Sequence, residues 1–308
     1  YHSDAIARTL NELTTSVEFD AVEIIDSFLG LYREALSPQA QKRAILTFID
    51  VIFRKYERIS RVERKAARRL REQLYSRMMR RWEPAYAAHF ARCIAMSEDD
   101  RDLLLASNPA LKIDIVPNGV DVDTYEMAPP AGGPPSLVFV GNMSYRPNID
   151  GMLFFCHDIL PKVRAAVPDV ELYIVGMDPE PEVRALAGDG IHVTGRVEDV
   201  RPYYVQSTAS IVPLRAGGGT RLKVLEAMAL GRPMVSTTVG CEGIDVVDGE
   251  HLLIADTADA FAEATIRLLR DADLRGRIRG QARRLVEGKY NWDAIAEKLV
   301  EVYEAVAS

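Results

Sequence analysis

The chain of 308 residues is 48% hydrophobic and carries 45 Asp or Glu against 38 Lys or Arg, a net charge of −7. That length and apolar content suffice for two hydrophobic cores and exclude a disordered or fibrous chain. Cys93, Cys156 and Cys241 are odd in number and lack metal-ligand spacing, so they read as buried thiols in a reducing compartment rather than a disulfide framework. No apolar run reaches the roughly 20 residues of a membrane helix. The expectation is a soluble protein.

In chain order, Val22 to Asp26, Ala44 to Asp50, Arg92 to Ser97 and Ile113 to Pro117 read as short strands separated by helical patterns, part of a parallel-sheet domain. Between them, Arg54 to Arg81 holds twelve Lys or Arg against Glu57, Glu63 and Glu72, so this segment is basic while the remainder of the chain is acidic. Ile59, Val62, Ala66, Leu70, Leu74, Met78 and Trp82 recur there at three- and four-residue steps, which predicts an amphipathic helix with a basic outer face. Such a face is either a solvated surface whose apolar stripe packs inward or a docking surface for an anionic membrane. Nucleic acid is disfavoured, because no aromatic platform or base-reading motif accompanies the charge.

The run Met127 to Pro135, rich in Pro and Gly, has the composition of a linker and sets a domain boundary near residue 130. Beyond it, Leu137 to Val140, Val170 to Val175, Ile191 to Thr194, Ala209 to Pro213, Met234 to Thr237 and His251 to Ile254 read as six strands of a doubly wound α/β domain. Glycine follows several of them, at Gly141, Gly176, Gly195, Gly217 to Gly219 and Gly240, where such a domain binds ligands. The last segment, from Asn291, predicts a terminal helix with an apolar stripe through Ile295, Leu299 and Tyr303. The stretch from Gly217 to Gly231 is the most informative of all. Its glycines let backbone N–H groups approach an anion, and a helix expected to start near Thr220 adds its own N–H groups. Within that helix Glu226 lies among Leu222, Lys223, Ala229 and Leu230, an acid on a largely apolar surface that can accept hydrogen bonds from sugar hydroxyls.

Val116-Pro-Asn-Gly-Val-Asp121, Phe139-Val-Gly-Asn-Met143, Val193-Thr-Gly-Arg-Val197, the Gly217 to Gly231 stretch and Tyr290-Asn-Trp292 together resemble the retaining glycosyltransferases of group 1, also called family 4. Within that group the Gly-Gly-Gly-Thr-Arg-Leu-Lys run ahead of Leu-Glu-Ala-Met is most similar to bacterial exopolysaccharide and envelope sugar transferases. The resemblance implies a GT-B fold of two Rossmann-like domains: residues 1–128 on the acceptor side, residues 129–292 binding the donor, and a helix from 293 to 308 returning to the first. It gives Glu226 the donor ribose, Gly141 and Asn142 the diphosphate, Arg196 and Val197 the base, and Gly219 and Thr220 the distal phosphate. It further implies transfer from a nucleotide sugar, UDP- or GDP-linked, to a glycan or lipid-linked acceptor, without metal or other cofactor. The leaving diphosphate would be stabilised by Arg221 and Lys223. Envelope synthesis of this kind belongs to the cytoplasm or the inner face of the cytoplasmic membrane.

Three departures qualify that reading. Gly218 stands eight residues before Glu226, where the family has a first acid that contacts the sugar. Arg146 is the one cation in the loop after Gly141 ahead of Pro147 and Asn148, displaced from its usual place. Ile49 fills the place of a histidine before Asp50, which remains a candidate acceptor contact. Fewer strands precede the linker than in the family, so the chain reads as lacking the leading part of its first domain, and a transfer-deficient nucleotide-sugar scaffold is the alternative. Asp121-Val-Asp123 spells a metal-binding Asp-x-Asp, but it lies away from the glycine-rich strand ends with no histidine to join it. The bland reading of Glu226 is an ion pair with Lys223. Of the histidines, His157, His192 and His251 read as structural, and His2 and His89 have no assignable partner.

Overall fold

The computed structural model describes residues 3–307, which leaves His2 outside the described residues. Two compact units are present: residues up to Asn118 with 218–220 and the segment from Asp293 form the first, and Gly119–Gly217 with Arg221–Trp292 form the second.

The first unit is built on a parallel sheet in the order β1 (Val22–Ile25), β2 (Ala44–Phe48), β3 (Arg92–Ala95), β4 (Ile113–Ile115). β2 is buried along its whole length, as a strand covered on both faces must be. The terminal helix Trp292–Ala307 buries Ile295 and Val302 in a cluster with Ile45, Ile94, Met96 and Val116. Its Tyr303 hydroxyl donates to Glu23 (2.5 Å).

The basic segment departs from the single helix its periodicity predicts. It forms two helices, Ile52–Val62 and Ala66–Ala87, broken where Glu63 turns its carboxylate to the Lys65 N–H (2.9 Å). The second helix also sits the other way round. Leu70, Leu74 and Met78 are 55–56% exposed, while Glu72, Ser76, Met79 and Glu83 face the core. Buried polar groups explain that orientation. Ser76 donates to the Phe53 carbonyl (2.7 Å), and Glu83 accepts from the Ile52 and Phe53 N–H groups (3.2 and 3.1 Å) and from Ser27 (2.7 Å). Glu83 thereby caps the otherwise unsatisfied start of helix Ile52–Val62, a function an apolar stripe could not supply. Burial raises its pKa to about 7, opposed by those same donors.

The second unit carries a six-stranded parallel sheet in the order β10 (Leu253–Ile254), β9 (Met234–Ser236), β8 (Ala209–Val212), β5 (Ser136–Val140), β6 (Glu171–Val175), β7 (Ile191–Val193). The strand order reverses between β5 and β8, so the carboxyl ends of these two strands flank a topological switch point. β5 and β8 are wholly buried, and one large core holds their side chains together with those of the flanking helices. β10 has two residues where the sequence suggested four, because His251 is drawn into a turn with Val247 N–H donating to its Nδ1 (3.0 Å). Both sheets with their covering helices make the chain α/β, as its pattern of apolar runs implies.

Candidate functional site

At the switch point of the second unit, Gly141 directly follows β5, and Gly176 follows the neighbouring β6. Gly176 has φ of +148°, and a Cβ there would lie within bonding distance of the Gly141 carbonyl oxygen, so no other residue fits this close crossing of two chains. The site of a Gly141 Cβ lies 2.8 Å from the Lys223 Nζ and 2.8 Å from the Asn148 Nδ2. Glycine at 141 therefore leaves room for an ammonium beside the strand end. The Lys223 Nζ donates to Asn148 Oδ1 (3.1 Å) and lies 4.0 Å from the centroid of the Phe139 ring. Asn148 in turn donates to the Asn142 carbonyl (2.8 Å), which fixes the loop after β5. Burial, with Arg221 nearby as a second cation, lowers the Lys223 pKa to about 7, and Glu226 opposes this. Such an ammonium is short of negative charge.

Lys223 and Glu226 share the helix Leu222–Ala229, which starts two residues later than expected, with Arg221 at its N-cap. The two do not form the ion pair of the bland reading. Glu226 instead faces two hydroxyls: Tyr125 donates to its Oε1 (3.5 Å) and Tyr204 to its Oε2 (3.4 Å). Tyr204 is fully buried and also contacts the Lys223 carbonyl (3.3 Å), so the helix start and the carboxylate are held by one side chain. Burial raises the Glu226 pKa, while Tyr204, Lys223 and Tyr125 oppose the rise. Neither tyrosine was identified from the sequence. They come from segments 101 and 22 residues away, and a lone Tyr carries no local signal.

The other expected site residues have varied surroundings. Arg221 is 8% exposed and close to Gly217. Asn142 turns its side chain to Ser144, accepting from its N–H (2.9 Å) and hydroxyl (2.8 Å). Arg146, at the start of helix Arg146–Phe154, is ion-paired with Glu182 (2.6 Å). Arg196 is exposed and borders an open recess of about 470 Å³ past the end of β7, and Val197 packs against the core. Gly218, Gly219 and Thr220 are grouped with the first unit. There a Cβ on Gly218 would meet Lys55 at 3.0 Å and Asp50 at 3.2 Å. Asp50 is itself paired with Lys55 (2.9 Å).

Residues set aside in the sequence are accounted for by local structure. Asp121 accepts from the Asp123 and Thr124 N–H groups (3.0 and 2.9 Å) and the Thr124 hydroxyl (2.6 Å), which holds its pKa below the ordinary carboxylate value. It caps a turn. Among the described residues no group of three His, Cys, Asp or Glu side chains is gathered as a metal site. His192 is paired with Glu171 and stacks on Tyr173. Cys93 and Cys241 are buried and Cys156 is half-buried, and burial raises the pKa of all three thiols.

The chain is similar in sequence and in fold to known proteins. Residues 134–271 match the family described as glycosyl transferases group 1. The chain is 33% identical over 204 residues to a phosphatidyl-myo-inositol mannosyltransferase of Mycobacterium leprae, covering 63% of this chain and 54% of that one. To the protein of the same name in Mycolicibacterium smegmatis it is 32% identical over 203 residues, 62% and 52% of the two chains. It thus spans about half the length of these relatives. Among solved structures, a sucrose-phosphate synthase from Thermosynechococcus elongatus superposes with a TM-score of 0.75 at 19% identity, covering 99% of this chain and 80% of that one. Anabaena HepE in complex with UDP and glucose gives 0.75 at 14% identity, with 98% and 80% covered. The fold is that of the GT-B glycosyltransferases. The sequence similarity to glycosyl transferases group 1 spans residues 134–271.

Proposed function

We propose that the protein is a retaining, metal-independent glycosyltransferase that moves a sugar from a nucleotide-sugar donor to a lipid-linked or glycan acceptor in envelope or exopolysaccharide synthesis. The observation that carries this reading is the Lys223 ammonium beside Gly141 at the switch point, with Glu226, on the same helix, held by the Tyr125 and Tyr204 hydroxyls. In this reading Glu226 accepts hydrogen bonds from the donor ribose. Backbone N–H groups at Gly141, Asn142, Gly219 and Thr220, with the Arg221 and Lys223 cations, stabilise the leaving diphosphate, and Arg196 and Val197 lie beside the base. Donor groups aimed at charge that develops in the transition state are among the largest single contributions to catalysis. Residues 129–292 supply the donor side. Residues 1–128 supply the acceptor side, with Asp50 as acceptor contact and the segment 293–308 belonging to it. Arg146 contributes to the diphosphate only by giving up Glu182. A GDP-linked hexose is the first donor to test, since one relative is named a GDP-mannose-dependent mannosyltransferase; UDP is the ligand named with HepE.

The basic helix Ala66–Ala87 adds a membrane surface to this reading. Leu70, Leu74 and Met78 stand outward among Arg68, Arg69, Arg71, Arg77 and Arg81, a pairing of apolar and cationic side chains that suits an anionic lipid interface at the cytoplasmic face. Among the described residues no helix is long and apolar enough to cross a membrane.

Release of nucleoside diphosphate from UDP- and GDP-hexoses, measured with and without a lipid extract, tests the transferase. Acceptor-dependent release that fails in Lys223→Ala supports it, and release unaffected by that substitution contradicts it. Gly218 in place of an acid favours one second reading, a nucleotide-sugar-binding scaffold without transfer. Nucleotide binding with no release in any extract would favour the scaffold.

A further inference from the structure

The second unit has another concentration of positive charge, at the opposite ends of its strands from Gly141. Arg232 and Pro233 lead into the amino end of β9, and Thr208 leads into that of β8. With Arg275, Gly276 and Arg279 from the helix Ala272–Lys289, they line a cavity of about 160 Å³, well beyond the roughly 15 Å³ that a single water requires. Arg232 is 2% exposed, which is exceptional for a guanidinium without a carboxylate partner. It donates to the carbonyls of Ser207 (3.4 Å) and Pro129, while Arg279 donates to the Ala128 carbonyl (2.5 Å) and Arg275 to those of Leu268 (2.7 Å) and Leu269 (3.0 Å). Those contacts use part of each fork. The buried Nε atoms of Arg232 and Arg279 have no hydrogen-bond partner.

None of the three arginines forms an ion pair among the described residues. The neighbouring acid Asp271 caps its own helix by accepting from the Leu274 N–H (2.8 Å). Burial and the nearby Arg279 lower the Arg232 pKa to about 10, the signature of a cation lacking a compensating charge. Gly231 keeps the approach open. Its φ is +64°, and a Cβ there would stand 3.3 Å from the Arg279 Nε and 3.1 Å from Met127.

We propose that Arg232, Arg275 and Arg279 form a second anion site that takes a small phosphate-class oxyanion, either inorganic phosphate or a phosphate monoester. Guanidinium forks match such oxygens in geometry as well as charge, and an anion here would offset the like charges of buried Arg232 and half-buried Arg275 and Arg279 around the cavity. The site is separate from the Lys223 cradle. It lies past the last turn of helix Leu222–Ala229, whose eight residues span about 12 Å and carry Lys223 near the other end. An anion bound here bears on the C-terminal end of the helix that positions Lys223 and Glu226.

Calorimetric titration of the whole chain with inorganic phosphate and, separately, with glycerol 3-phosphate tests this, each without nucleotide and with saturating UDP or GDP. The expected result is one saturable site for at least one of the two probes that survives the nucleotide, and the tighter probe identifies the source. Arg279→Gln and Arg275→Gln should each weaken it at least tenfold with nucleotide affinity unchanged. Arg275→Gln leaves the carbonyl clasps of Arg232 and Arg279 in place and keeps the test open should Arg279→Gln not fold. Absence of saturable binding by both probes, complete displacement by nucleotide, or wild-type affinity in Arg275→Gln would each overturn the site. The titrations without nucleotide read the same variants, so a chain that binds no nucleotide leaves this test intact.

Discussion

The helices Ala66–Ala87, which is strongly basic, and Leu222–Ala229, in which Lys223 and Glu226 balance, distribute polarity in different ways. In the first, Leu70, Leu74 and Met78 stand in solvent while Glu72, Ser76 and Glu83 are buried. In the second, apolar Val224, Leu225, Ala227 and Met228 are buried and the polar groups Lys223 and Glu226 sit half-buried at the edge of the core. A helix serving only as scaffold would show neither pattern, since it would bury its apolar stripe and solvate its charges. The outward stripe points to an external apolar partner, and the half-buried charges point to a polar ligand. On the proposed function, two different kinds of partner are therefore expected at two different parts of the chain.

Breaking the second pattern should have the largest effect. Lys223→Ala removes the cation beside Gly141 and should depress turnover by about 10²- to 10³-fold, the scale of one lost donor to a developing anion. Its melting temperature should hold or rise, because a buried ammonium with a lowered pKa is itself a cost to folding. Glu226→Gln should weaken nucleotide binding roughly 10- to 100-fold, as expected when hydrogen bonds to a charged group lose that charge. A ribose-free diphosphate analogue should bind the two proteins alike. The first pattern is broken by Leu74→Glu, which should lower retention on anionic vesicles about tenfold or more at low salt and leave nucleotide affinity unchanged. Equal retention would return this helix to a solvated face. The smallest effect is expected from Tyr125→Phe, whose hydroxyl meets Glu226 at 3.5 Å and should contribute only a few-fold to nucleotide affinity, measured by the same titration.

How far the sequence led differs between these same regions. β2, β5, β8 and β9, buried along their whole length, read as continuous apolar runs, and β1 to β9 were legible within a residue or two. Glu226 stood out because an acid among Leu, Ala and Met is rare. Periodicity located the stripe of Ala66–Ala87 but carried no information on which side faces the core. That was decided by Glu83 and Ser76 reaching backbone groups of the preceding helix. Tyr125 and Tyr204 were invisible for a related reason: only the fold brings their hydroxyls to one carboxylate. Arg232 is remote in sequence from Arg275 and Arg279, and only the fold gathers the three around one cavity.

The central claim is that Lys223 waits for a diphosphate. Its pKa of about 7 lies well below the ordinary lysine value, so above pH 7 much of it is neutral in the free protein. A bound anion would raise that pKa, and binding must then take up a proton. Titration of GDP or UDP in buffers of different ionisation enthalpy at pH 8 reads this uptake directly. The account predicts an uptake approaching one proton, affinity that falls as pH rises through 7, and loss of both features in Lys223→Arg, which stays charged. Nucleotide binding with no proton uptake and a flat pH profile would contradict it.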